Sequence, residues 1–384
     1  MISKLCNFAT TLVILNFLFS ITLKGNENSI SFLRFLPFIS YVVNLLVASV
    51  VYLTNRYYHS NLSKLLVVYA LFIFFVAVFI PNNDYTRIMN FLMPTYWITS
   101  YFIVSHLCYV ERSGYIAQKR VEKCFFLISL FVVISILTSR NSFIKDILTG
   151  VNVVFYALLY IPWIVTFPNK SKKLVAIVCL IIISIMSIKR SAIIILIGAL
   201  LIMVFDRGGG VMVKLKRILI SALVVVVLLL LYTPNSPIAD VITRFEYLEE
   251  DGGNGRVDIY EDVCDAFKNQ SMLNKVFGSG FRAVQNTLFS QYGYSGYISA
   301  HNDFLEVLYD YGWIGFFLYI FLHLLLIHRC IILFKQRSSL FIPYAISYYT
   351  FLVMSLVSHL MIYPSYFLIL VAFWAYAECK VCKL

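Results

Sequence analysis

The chain has 384 residues, of which 61% are hydrophobic and only 13% charged, with a mean hydropathy of +0.84. Soluble domains carry about a quarter charged residues, so the composition excludes a soluble protein and requires a membrane one. The excess of Lys and Arg (31) over Asp and Glu (19) is what cytoplasmic loops of membrane proteins carry, and its placement favours that reading over nucleic-acid binding.

The apolar runs are mostly ~16–24 residues long, which suits helices rising about 1.5 Å per residue across about 30 Å of hydrocarbon and not the short alternating strands of a barrel. In chain order the expected spans are 5–23, 30–53, 62–81, 88–110, 121–137, 147–167, 173–188, 191–205, 216–232, 312–334, 341–360 and 363–378. The expected fold is thus an all-α polytopic membrane protein of about twelve transmembrane helices, with one long, partly helical external loop between spans 9 and 10. Three regions follow: spans 1–9 (1–232), the loop (233–311), and spans 10–12 with a tail (312–384). The first run lacks a cleavage site and reads as a retained span.

Alternate connections hold most of the positive charge, for example Arg56, Arg112, Lys119, Arg120, Lys214 and Lys335. The opposite short connections hold few, chiefly Lys24, Arg87, Arg140 and Lys145. The bias places both termini in the cytoplasm and the 233–311 loop outside. The run from Leu174 to Phe205 contains Lys189 and Arg190 at its middle. Two cations at mid-bilayer cost about 2.5–3.5 kcal/mol each, so two short helices turning at Ile188-Lys189-Arg190 are expected, with the basic pair at the external surface.

About 80 residues of polar loop are too many for a plain connection. Asn254 can cap a helix in which Val257, Tyr260, Cys264 and Phe267 recur at helical spacing. Phe277-Gly278-Ser279-Gly280-Phe281 reads as a tight turn, and a short helix is expected from near His301 through Gly312-Trp313 into the next span. Eight cysteines are scattered; Cys379 and Cys382 form a C-x-x-C, but the tail supplies no two further ligands for zinc.

Arg190 and Arg256 lie on the same expected side, and guanidinium groups grip phosphate oxygens bidentately, so the two could clamp a diphosphate. Lys189, Arg244 and Arg282 could assist, and solvated loop cations are the competing reading. A neutral His301 could take a proton from an incoming hydroxyl, although a lone histidine is more often structural. Asp303 and Glu306 could orient it or bind sugar hydroxyls, and helix capping explains them equally well. His106, His323 and His359 fall in expected spans and receive no chemistry. There is no phosphate-binding glycine loop, no H-E-x-x-H and no G-x-S-x-G.

The K-R-S-A-I-I-I-L turn, a loop opening with G-R-x-x-x-Y, the F-G-S-G-F turn, and H-N-D-F-L-E followed by Y-G-W-I-G together resemble the O-antigen polymerase and ligase superfamily of bacterial inner membranes. The motifs cover roughly residues 187–316. The resemblance implies transfer of a glycan from an undecaprenyl diphosphate carrier to an acceptor hydroxyl, outside the membrane, with no metal and no cofactor. Arg190 and Arg256 match the arginines thought to hold the diphosphate, and His301 the histidine proposed to activate the acceptor. The chain departs from the pattern in having Tyr260 where many relatives carry tryptophan, and Lys189 where serine commonly precedes the arginine. Asp303 leans toward a polymerase, whose acceptor is another carrier-linked repeat unit, over a ligase, whose acceptor is lipid A core. The implied partners are carrier-linked donor and acceptor, membrane lipid and a chain-length regulator, with no nucleic acid. A polysaccharide flippase is the distant alternative, because a transporter keeps its polar residues near the midplane of the bundle.

Overall fold

The structure, a computed structural model, describes residues 1–22, 35–80, 87–111, 114–142, 152–187, 189–204, 252–294 and 298–381. The expected span at 216–232 and Arg244 lie outside these. The described residues form helices with no strand among them: α1 (Ile2–Thr22), α2 (Leu36–Leu53), α3 (Asn61–Phe79), α4 (Arg87–Glu111), α5 (Tyr115–Ser142), α6 (Val154–Leu158), α7 (Ile161–Val165), α8 (Lys170–Met186) and α9 (Arg190–Val204). After residue 251 come α10 (Gly252–Lys268), α11 (Met272–Phe277), α12 (Ala283–Tyr292), α13 (Asp303–Lys335), α14 (Phe341–Val357) and α15 (Pro364–Val381). Five of them, α1, α2, α3, α5 and α13, are long and apolar enough to cross a membrane. Helices keep every backbone hydrogen bond inside one segment, which hydrocarbon demands. Large apolar side chains such as Leu71, Phe74 and Leu201 point outward, as a lipid-facing surface requires.

The chain is an all-α membrane protein. The run through Lys189 and Arg190 does divide, α8 ending at Met186 and α9 starting at Arg190. The expected 147–167 span instead shows two short helices, α6 and α7, with Pro162 in the first turn of the second. A proline removes one donor and suits a helix start, so it marks the restart.

At the centre of the bundle lies α15, buried along almost its whole length against α4 and also packed on α1, α7 and α14. Its aromatic residues interlock with their neighbours: Phe367 stacks on Phe351 at 5.3 Å and 8°, and the Trp374 indole N–H donates to Ser347 Oγ at 3.1 Å. Close approach of α9 and α14 depends on Gly198, where a Cβ would stand 2.1 Å from the Tyr349 ring. Near the C-terminal end of the same bundle Arg329 of α13 donates through Nε to Glu378 Oε1 at 2.6 Å and through a second nitrogen to Oε2. Glu378 is 2% exposed, so truncating its partner strands a buried charge, at a cost of about 3–5 kcal/mol. We expect Arg329→Ala to lower the melting temperature of the detergent-solubilised protein markedly, and the paired change Arg329→Met with Glu378→Leu to recover most of the loss.

The element that shapes the site is the sharp break inside α13. Gly312 has φ 63° and ψ −167°, outside the helical region. Asp303 and Tyr319 are sixteen residues apart, about 24 Å along a straight helix, yet Tyr319 Oη donates to Asp303 Oδ2 at 3.4 Å. The Phe304 ring likewise lies 5.1 Å from that of His323. Residues 303–311 therefore form an arm folded back along the span 313–335.

Two glycines allow the polar segment to dock on this fold. A Cβ on Gly278 would meet the Asp310 carbonyl oxygen at 2.1 Å, and one on Gly312 would meet the Val276 carbonyl and the Gly278 nitrogen at 2.5 Å. With no Cβ in the way, Ser279 N–H donates to Tyr309 O (3.1 Å) and Gly280 N–H to Asp310 O (2.9 Å). The F-G-S-G-F turn thus satisfies carbonyls released by the break. Beyond it, α10, α12 and the arm share a small second core of Ile259, Val263, Val284, Leu288 and Tyr309.

Candidate functional site

Three carboxylates on the arm, Asp303, Glu306 and Asp310, are 1% exposed or less. Spaced i, i+3 and i+7, they share one helical face, and each is spent on backbone N–H groups elsewhere. Asp303 accepts from Leu360 N (2.9 Å) and Met361 N (3.1 Å), in the non-helical stretch between α14 and α15. Glu306 Oε2 accepts from Ala300 N at 2.9 Å, and Asp310 from Arg282 N (2.6 Å) and Val284 N (3.1 Å) at the start of α12. Asp303 and Asp310 are thus surrounded by donors, as burial requires, while Glu306 Oε1 finds no hydrogen-bond partner among the described residues. The arm is accordingly a clip that joins the loop to the break at 358–363, and Asp303 serves as backbone latch.

His301 sits at the tip of this arm. Its backbone is left-handed, φ 51°, an uncommon conformation for a residue with a Cβ. On one side Ala300 is held by Glu306; on the other Asn302 caps the arm, its side chain accepting from Phe304 N (2.9 Å) and Leu305 N (3.3 Å). Tyr260 of α10 donates to the His301 carbonyl at 3.5 Å. The imidazole is pushed down to about 4 by burial first, then by the cations of Arg256 and Lys189. Its neutral form therefore dominates at neutral pH, between two positive charges supplied by α10 and by the residue just before α9.

Of the residues singled out from the sequence, Arg256 and Lys189 lie near enough to His301 for their charges to depress its imidazole, and Arg190 adjoins Lys189 as the first residue of α9. Arg282 lies further round. Its Nη2 donates to Ile362 O at 3.2 Å, and its guanidinium lies 5.8 Å from the Tyr363 ring, so it braces the 358–363 stretch.

That stretch carries a residue the sequence did not single out. His359, expected within a span, stands past the end of α14, and its ring centroid is 4.9 Å from that of His301 with 36° between planes. Ser299 Oγ lies 3.1 Å from its Nδ1, Tyr363 packs on it at 4.6 Å, and Tyr366 Oη donates to its carbonyl at 2.9 Å. Pro364 is the signal that marks this place, since a proline opens a helix more readily than it continues one.

A neutral imidazole can accept a proton from a hydroxyl, and Arg and Lys side chains at its edge can hold an anion through charge-assisted hydrogen bonds. Among the described residues no group of three or more His, Cys, Asp or Glu is arranged to hold a metal ion.

The chain is an all-α membrane protein, and the stretch that carries the site is similar to a domain of O-antigen polymerases and ligases, a glycosyltransferase-like class. The family model that matches is that of the O-antigen ligase, over residues 175–320, which include Lys189, Arg190, Arg256 and His301. The match agrees with the resemblance carried by the motifs and does not separate polymerase from ligase. No curated protein matches the chain.

Proposed function

We propose that the protein is a surface-polysaccharide polymerase of the bacterial inner membrane. It transfers a growing glycan from undecaprenyl diphosphate to a hydroxyl of another carrier-linked repeat unit, on the periplasmic side to which the Lys and Arg bias assigns the loop. The observation that carries this reading is His301 held at the arm tip between the Asn302 cap and the Glu306-bound Ala300, with Arg256 and Lys189 near enough for their charges to depress its imidazole.

In the reaction His301 takes the acceptor hydroxyl proton as that oxygen bonds to the anomeric carbon of the donor sugar. The bond from this carbon to the phosphate oxygen breaks, and its electron pair leaves with the diphosphate. Arg256 and Arg190, with Lys189 beside them, stabilise the charge that develops there, a role that cations and metal ions share in phosphate-leaving reactions. One displacement inverts the anomeric centre, and no nearby carboxylate is assigned a covalent intermediate, because those of the arm are spent on backbone N–H groups.

The test uses purified full-length protein in lipid nanodiscs, given the carrier-linked oligosaccharide alone. Lengthened glycan on the carrier, with free undecaprenyl diphosphate, is expected. Consumption only when lipid A core is added would identify a ligase and overturn the polymerase reading.

The pH dependence follows from the depressed imidazole. His301 works as the neutral form, which persists until pH falls to its own lowered value of about 4. We expect the acid limb of kcat/KM that belongs to His301, a property of the free enzyme, to lie below about pH 5. Lys189→Gln removes one depressing charge and should move the acid limb upward. A limb at the ordinary histidine value of about 6.5 in the unaltered protein would count against His301 as the base.

A further inference from the structure

We propose that His359 is a positioning residue for His301, fixing the plane of that imidazole and presenting an aromatic face to it as it becomes charged. The proposal rests on the reading of His301 as the base.

The argument is geometric. A general base must hold its nitrogen within hydrogen-bond reach of the hydroxyl it serves, and a small misplacement of a catalytic group lowers the rate steeply. At the arm tip the His301 backbone is fixed by Glu306 through Ala300, by the Asn302 cap and by Tyr260. Each of these bonds is to the backbone. The ring against the imidazole is that of His359, at 4.9 Å and 36°.

His359 is itself held on three sides: Ser299 Oγ at Nδ1, the Tyr363 ring on its face, and Tyr366 on its carbonyl. It is 5% exposed, so the support is closed to solvent. Asp303 ties the two histidines together, because it follows His301 by two residues and binds the amides one and two residues beyond His359. A shift of either imidazole is thereby resisted by the same carboxylate.

The face matters when the proton arrives. The imidazolium of His301 forms near two cations, Arg256 and Lys189, and an aromatic ring face is a favourable neighbour for positive charge. Tyr363 packs against His359 at 4.6 Å and Arg282 lies 5.8 Å from the Tyr363 ring, so the support is continuous.

The test separates ring from nitrogen and kcat from KM, using the nanodisc assay with carrier-linked oligosaccharide. His359→Ala is expected to lower kcat about 10- to 100-fold, in the range that misplacing a base produces, with donor KM changed less than about 2-fold. His359→Phe, which keeps the face, should return kcat to within about 3-fold of the unaltered protein, while His359→Gln, which keeps a polar group for Ser299 but no ring, should stay as low as alanine. Unchanged kcat in His359→Ala, a phenylalanine variant as poor as the glutamine one, or a loss confined to KM would each overturn the proposal. If His359→Ala does not fold, the contrast between Phe and Gln carries the test alone. If His301→Asn also transfers normally, the reading of His301 has failed; if His301→Asn is inactive and all His359 variants are normal, only the present inference has.

Discussion

Replacing His301 with asparagine is expected to abolish long glycan while the protein still inserts and folds. Asparagine is the informative choice because the residue occupies φ 51°, a left-handed conformation that asparagine adopts more readily than alanine does. The variant therefore keeps the backbone and loses the base. Removing a positioned proton acceptor typically costs about 10²- to 10⁴-fold in rate, or about 2.7–5.4 kcal/mol of barrier. Arg256→Ala should be similarly damaging through the leaving diphosphate, and Arg256→Lys should recover only part, since an ammonium cannot reproduce the planar fork. The measurement is chain length by gel in a deletion strain complemented with each variant, alongside transfer by the purified protein. Normal-length glycan from His301→Asn would remove the histidine from the mechanism.

Replacing Gly312 with alanine is expected to undo the docking of the loop. The new Cβ would fall 2.5 Å from the Val276 carbonyl carbon and oxygen and from the Gly278 nitrogen, all backbone atoms that cannot swing aside, at a residue with φ +63°. At φ 63° and ψ −167° Gly312 sits in a region essentially reserved for glycine, where strain costs about 1–3 kcal/mol, and overpacking adds about 1–3. The F-G-S-G-F turn would have to leave the carbonyls of Tyr309 and Asp310, and Arg282 would be drawn off the Asp310 carboxylate. Gly278→Ala should behave alike. The comparison is Gly293→Ala, at φ 72° and ψ 19° with nothing within 4 Å of the added carbon; it should show only the smaller left-handed penalty of about 1–2 kcal/mol. Thermal melting and transfer activity together read the difference, and equal effects at positions 312 and 293 would mean that the clash is relieved locally.

Most of the local structure was legible in the sequence. Apolar runs of the right length, the cationic interruption at Lys189 and Arg190, the helical spacing through Tyr260 and Phe267, and the glycine-rich turn each encode a short-range preference, and the helices follow them. The polar stretch also signalled the place of His301 and Arg256. What the sequence hid was tertiary. Residues 303–335 appear as one helix running into a span, with Gly312 the single sign of the reversal that folds the arm back on Tyr319. Asp303 looked equally able to cap a helix or hold a sugar, because its true partners, the amides of Leu360 and Met361, lie more than fifty residues away. His359 was absorbed into a span for the same reason: apolar neighbours fill a window of hydropathy whether or not the helix continues through them.

The arm has a consequence for how the protein is made. Its three carboxylates gather N–H groups from residues 282, 284, 300 and 360–361, and the last of these are made more than fifty residues after Asp303. Asp303 has no latch, and His301 no neighbouring ring, until the stretch before α15 has been synthesised and α15 has entered the bundle. A chain that already carries Arg256 and His301 is thus still without the helix that fills the bundle, and the arm closes only once α15 has entered.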